Sequence, residues 1–115
     1  GAAPCPPGGG GQRTPTHYDP HEGVVLALCG EKRLRLWPPA DAEAMRPAPG
    51  RAFKYASAEV PPPPYAEAVL SEGDAVVVPA FWWHAFEGGD GRNLTLSYWY
   101  SPHPMKATPT APCAP

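Results

Sequence analysis

Short apolar runs and short alternating runs follow one another along this chain, and nearly every one ends at a glycine or proline. Val24–Cys29 (VVLALC) is continuously apolar. After Gly30-Glu31, Lys32–Trp37 (KRLRLW) alternates with period two, so Lys32, Leu34 and Leu36 share one face and Arg33 and Arg35 the other. Two such runs across a two-residue, glycine-opened turn predict a β-hairpin. Upstream, Arg13–Asp19 predicts a short strand stopped by Pro20. Downstream, residues 40–64 are rich in Pro and Ala, with Pro61–Pro64 in series, and predict a long irregular excursion with a short helix near Ala40–Met45. Strands follow at Tyr65–Leu70, Ala75–Pro79, Phe81–Glu87 and Asn93–Tyr100, separated by turns at Ser71–Asp74 (SEGD) and Gly88–Gly91 (GGDG). In the last strand Asn93, Thr95, Ser97 and Trp99 fall on one face. Short strands at regular spacing, with almost no helical periodicity, predict an all-β sandwich or barrel.

Composition bounds that picture. The chain has 115 residues, room for one small domain, and its 19 prolines and 12 glycines are far above average usage, which suggests low-complexity flanks around a folded middle. Residues 1–12 read as a Gly/Pro-rich flank, 13–103 as the folded domain and 104–115 as a Pro/Ala-rich tail. A net charge of −2 gives no basic footprint for nucleic acid. No apolar run reaches the roughly 20 residues of a membrane span. The N-terminal GAAPCPPGGGG has neither the charged start nor the apolar stretch of a signal peptide. Cys5, Cys29 and Cys113 have no zinc-type or disulfide-framework spacing. Cys29 reads as a small buried hydrophobe, and an intracellular, reducing compartment is expected. The sequon Asn93-Leu94-Thr95 lies in a predicted strand and is discounted.

The chemistry concentrates at three residues. His17 and Asp19 are two apart, which on a strand puts both on one face. His84 follows the aromatic run Phe81-Trp82-Trp83. Two histidines and a carboxylate form the facial set that holds non-haem iron(II) and leaves open positions for a cosubstrate and dioxygen. A His-x-Asp pair alone is weak evidence, and His21 and Glu22 are alternative ligands close by. Pro20 bends the chain before His21, which reads as a solvated loop residue, and His103 reads as a tail residue. Lys32, on the apolar face of its strand, requires an anionic partner if buried; otherwise it reaches solvent from the strand end.

Taken in order, Thr14-Pro15-Thr16-His17-Tyr18-Asp19, Gly30-Glu31-Lys32-Arg33, Trp37-Pro38-Pro39, Gly73-Asp74, Pro79, Trp82-Trp83-His84 and Ser97-Tyr98-Trp99-Tyr100 resemble the JmjC-type cupin oxygenases, and among these the hydroxylase branch that includes the JmjC lysyl hydroxylases. The resemblance spans about residues 13–101. It implies a double-stranded β-helix (jelly-roll, cupin) lacking its N-terminal strands. It implies iron(II) held by His17, Asp19 and His84, and 2-oxoglutarate as cosubstrate. Lys32 and Thr14 would meet the far carboxylate of 2-oxoglutarate, and Ser97 would stand near the cosubstrate. The implied activity is hydroxylation of a protein or peptide side chain with release of succinate and CO2. Lysine demethylation is less favoured, because that branch typically carries glutamate at the position of Asp19. Gly23 departs from the family pattern, where asparagine is frequent. Alternation puts Thr14 on the face opposite His17, so its role needs a bulge between them. A barrel without its first strands exposes edges and is expected to self-associate. Two other readings are a non-catalytic cupin-like module that binds a metal or a protein, and a zinc hydrolase built on the same ligands.

Overall fold

The computed structural model describes residues 11–49 and 55–100; most of the two flanks, His103 included, lies outside the described residues. The strands are β1 (Glu22–Cys29), β2 (Lys32–Trp37), β3 (Ala66–Leu70), β4 (Ala75–Val78), β5 (Trp83–Gly88) and β6 (Leu94–Tyr100). A single 3-10 turn, Pro39–Asp41, leads into the short helix α1 (Ala42–Met45). The strands form two antiparallel three-stranded sheets, ordered β4-β1-β6 and β3-β2-β5. This is the all-β, partial jelly-roll architecture expected of the sequence.

The expected hairpin is absent. β1 pairs with β4 and β6, while β2 pairs with β3 and β5, so the two runs belong to different sheets. Gly30, at φ +74°, turns a corner between the sheets. β1 can cross the fold this way because it is apolar on both sides. Gly23, Val25, Ala27 and Cys29 are buried, while Val24 and Leu26 lie half-buried on the opposite face. β2 keeps the alternation read from its sequence: Leu34 is buried, Lys32 and Leu36 are half-buried, and Arg33 and Arg35 are exposed.

Val25 and Ala27 of β1, Leu34 of β2, Leu70 of β3 and Val78 of β4 make one core cluster from both sheets. Trp37, Met45 and Trp83 make a second, where α1 closes one end. The Trp37 indole N–H donates to the Pro62 carbonyl at 2.8 Å and so ties down the proline run. Cys29 is disulfide-bonded, not the free buried thiol expected. The cysteines therefore no longer argue for a reducing compartment. No helix of the described residues is long and apolar enough to cross a membrane.

The Arg13–Asp19 segment is not a regular strand, but it lies antiparallel along β5. Gln12 accepts a hydrogen bond from the Gly88 N–H, the Thr14 N–H donates to Phe86, and His17 and His84 exchange both backbone bonds at 3.1 and 2.8 Å. Arg13 bridges Glu87 and His17 bridges His84. Four residue steps on this segment thus oppose three on β5, which is a bulge. Pro15 lies inside it and has no N–H for the ladder. The Thr14 hydroxyl compensates by accepting the Phe86 N–H at 2.9 Å.

Candidate metal centre

β5 and the segment beside it carry the site. The backbone pairing of His17 with His84 brings the two imidazoles together, 4.4 Å between ring centroids. Asp19, two residues on, meets both: its Oδ2 lies 3.4 Å from His17 Nε2 and 3.5 Å from His84 Nε2. One ligand atom from each of the three falls within 4.8 Å of the others. Asp19 is itself held in place, since its carbonyl accepts the Phe81 N–H at 2.7 Å. Phe81 adopts φ +67° in making that bond.

The tautomers follow from the backbone. His17 Nδ1 lies 2.8 Å from the Pro15 carbonyl and His84 Nδ1 lies 3.0 Å from the Trp82 carbonyl. A carbonyl only accepts, so each Nδ1 carries the proton. In the neutral rings, each Nε2 then presents a lone pair toward the same carboxylate oxygen. Lone pairs so arranged repel unless a proton or cation stands between them. A divalent ion satisfies all three donors at once, and tying off the far ring nitrogen is how metal-binding histidines are oriented. Burial lowers the His84 pKa; the Trp82 carbonyl and Asp19 oppose that shift and His17 adds to it. The ring therefore stays neutral and available to a metal. The donor set present here fits a metal of the iron or zinc class.

The site opens into a cavity of about 210 Å3, whose wall includes Thr14, His21, Phe86, Ser97 and Trp99. It is smaller than the roughly 300–1,000 Å3 of drug-sized ligand sites, a size for a small molecule. A larger hollow of about 450 Å3 lies by Glu31, Arg33, Gly89 and Asp90. It contains no convergent metal-binding set.

The other sequence-derived residues divide. Thr14 reaches the cavity because the bulge turns it to the side of His17. Ser97 is on the wall and exposed. Lys32 does not line the cavity. Its Nζ lies 3.4 Å from Thr95 Oγ1 and 5.9 Å from the centroid of the Phe86 ring, which itself lines the cavity. Burial lowers the Lys32 pKa. His21 is exposed yet sits on the cavity wall, closer to the site than a free loop residue. Glu22 accepts the Ala80 N–H at 2.9 Å and stands outside the ligand set. Three contributors carried no assigned role in the sequence. Thr95 partners Lys32, Trp99 lines the cavity, and the tilted ring of Tyr55 packs 5.7 Å from that of His17. The polar face of the last strand hinted at the first two. Tyr55 comes from the irregular excursion, where no periodicity marks it.

A family model for a cupin-like domain matches residues 8–106. The chain belongs to the cupin-like domain family. It is 30% identical over 112 residues to Lysine-specific demethylase JMJ31 of Arabidopsis thaliana, covering 84% of this chain and 20% of the relative. It is 26% identical over 105 residues to Jumonji C domain-containing protein 5 of Drosophila melanogaster, covering 81% of this chain and 26% of the relative. The chain thus spans a fifth to a quarter of the length of these relatives. Among solved structures, hydroquinone 1,2-dioxygenase PnpCD, crystallised with Cd2+ and 4-hydroxybenzonitrile, superposes with a TM-score of 0.55 at 20% identity, over 78% of this chain and 53% of that one. That likeness concerns the fold. The cupin-like fold with JmjC relatives agrees with the resemblance read from the sequence.

Proposed function

We propose that this cupin-like domain is an iron(II)- and 2-oxoglutarate-dependent oxygenase that hydroxylates a protein side chain. The observation that carries the proposal is the convergence of His17 Nε2, Asp19 Oδ2 and His84 Nε2 with both Nδ1 atoms committed to backbone carbonyls. Iron bound there supplies oxidative chemistry with dioxygen and 2-oxoglutarate, and the protein supplies position and exclusion of water. His17, Asp19 and His84 would hold the ion. Asp19 brings the one negative charge of the set. Thr14 Oγ1 already accepts from Phe86, so its hydroxyl proton remains free to donate to a carboxylate. Lys32 stands outside the cavity wall, beside the Phe86 ring that lines it, and would supply the cation for the far carboxylate by extending past that ring, while Ser97 on the wall offers a further hydroxyl. An intracellular setting belongs to this reading, because 2-oxoglutarate is a metabolite of the cell interior.

The direct test is succinate formation from 2-oxoglutarate with iron(II), comparing the native chain with His17→Ala. Loss of turnover in the variant by at least about 100-fold is expected, as for removal of a group that acts as part of a unit. Equal turnover sinks the reading and leaves the non-catalytic cupin module. Lys32→Ala should raise the 2-oxoglutarate concentration needed. A second reading, lysine demethylation, is favoured by the name of the Arabidopsis relative. The product decides between them: a peptide that gains one oxygen atom indicates hydroxylation, whereas loss of a methyl group with release of formaldehyde indicates demethylation.

A further inference from the structure

Gly23 is the one buried residue on the inward face of β1 without a side chain, and its backbone does not require glycine. Among the described residues the glycines with left-handed φ are Gly11, Gly30 and Gly73, and Gly23 is not one of them. Glycine inside a strand marks a place where something approaches closely. Here that is Trp99, its antiparallel partner on β6. A Cβ on Gly23 would meet Trp99 Cδ1 at 3.3 Å and Nε1 at 3.5 Å. The pyrrole edge of the indole therefore lies across the bare α-carbon, on the wall of the cavity that contains His17, Asp19 and His84. Trp99 is also 59% exposed, unlike the buried Trp37 and Trp83. Its indole N–H has no hydrogen-bond partner among the described residues. A large side chain parked over a glycine, with an unused donor on the wall of the cavity that contains the candidate metal ligands, is placed to bind.

We propose that Trp99, seated by the absence of a side chain at Gly23, closes the cavity and donates its indole N–H to a carboxylate oxygen of the small acid bound at the metal. The proposal rests on the oxygenase reading above and deepens it by naming the residue that grips the cosubstrate on the β6 side. Tryptophan is suited to this role, because it covers the ligand with a flat apolar face and offers one donor only.

The test needs no turnover. The chain is loaded with Mn(II) without dioxygen, and 2-oxoglutarate is titrated by calorimetry into the native protein, Trp99→Phe and Gly23→Ala. Phenylalanine keeps an aromatic ring against Gly23 but removes the N–H. A hydrogen bond to a charged acceptor is worth roughly a 10- to 100-fold change in affinity, so Trp99→Phe should weaken 2-oxoglutarate by about 10-fold or more while Mn(II) affinity stays unchanged. Gly23→Ala leaves Trp99 intact but crowds it, and should weaken 2-oxoglutarate in the same direction. Tryptophan fluorescence should change when 2-oxoglutarate is added to the native protein, and the change should be lost in Trp99→Phe. Native binding with unchanged affinity in both variants overturns the role of Trp99 and leaves the oxygenase reading standing. No binding by the native, metal-loaded protein overturns both.

Discussion

His84 is the buried member of the ligand set, and its burial makes stability depend on pH. Loss of water around the ring holds its pKa below the ordinary value of 6.5. The unfolded chain then binds a proton more readily than the folded one. Stability is full above about pH 6.5 and is lost as pH falls through the lowered folded value. The thermal midpoint of the metal-free protein should therefore drop between about pH 7 and about pH 5. His84→Gln, which cannot titrate, should flatten that slope, and Zn(II) in excess should move the loss to lower pH by competing with the proton for Nε2. Identical slopes for native and variant would refute the assignment. At this scale the sequence showed the pair His17 and Asp19, because residues two apart on extended chain share a face. It did not show how His84 joins them, which depends on the ladder between the 13–19 segment and β5. Simple alternation put Thr14 on the wrong side, because one extra residue at the Pro15 bulge reverses parity. Tyr55 was invisible, since nothing in residues 40–64 repeats.

Gly30 and Gly73 both adopt positive φ, but they stand in different surroundings. A Cβ on Gly30 would fall 2.1 Å from the Arg92 carbonyl oxygen and 2.7 Å from Asn93 Cα, both backbone atoms. At Gly73 nothing lies within 4 Å. Gly73→Ala should thus cost only the conformational penalty, about 1 kcal/mol. Gly30→Ala should cost clearly more, because the corner must open before β6 can lie beside β1. Urea denaturation of both variants checks this, and equal midpoints would contradict it. The same corner explains where sequence reasoning went astray on topology. Strand positions were legible, since Lys32–Trp37 matched β2 to the residue. Pairing was not, because a glycine-opened turn between two apolar runs serves a hairpin and a sheet-to-sheet corner equally well. The difference lies in the long-range partners: Val24 faces Val77 and Tyr98, and Leu34 faces Ala68 and Phe86. No local pattern encodes those partners.

Across the whole molecule, the sheet β4-β1-β6 presents an apolar outer face and an open edge. Among the described residues β6 pairs with β1 alone, and it contains no charged residue. Tyr98 lies opposite Val24 and Leu96 opposite Leu26, so the half-buried side of β1 continues into side chains that are 68% and 56% exposed. Leu28, Val77, Leu94 and Tyr100 extend the patch. Aromatic side chains carry about 150–250 Å2 each, so the patch reaches the few hundred Å2 that mark interaction surfaces. An uncharged edge strand is also a template for another strand. Two copies of β6 laid antiparallel about Ser97 would set Leu96 against Tyr98 and Leu94 against Tyr100, with no charge in the seam. We therefore expect the isolated chain to self-associate as its concentration rises through the micromolar range, about the level at which exposed edges begin to pair. Light scattering coupled to size-exclusion chromatography would follow it. Leu96→Lys and Tyr98→Lys, each placing a charge on the seam, should return the chain to a monomer. Metal binding should be unaffected, since neither side chain lies on the wall that holds His17, Asp19 and His84. A native chain that stays monomeric at every concentration, or lysine variants that associate as the native chain does, would exclude this face as the contact.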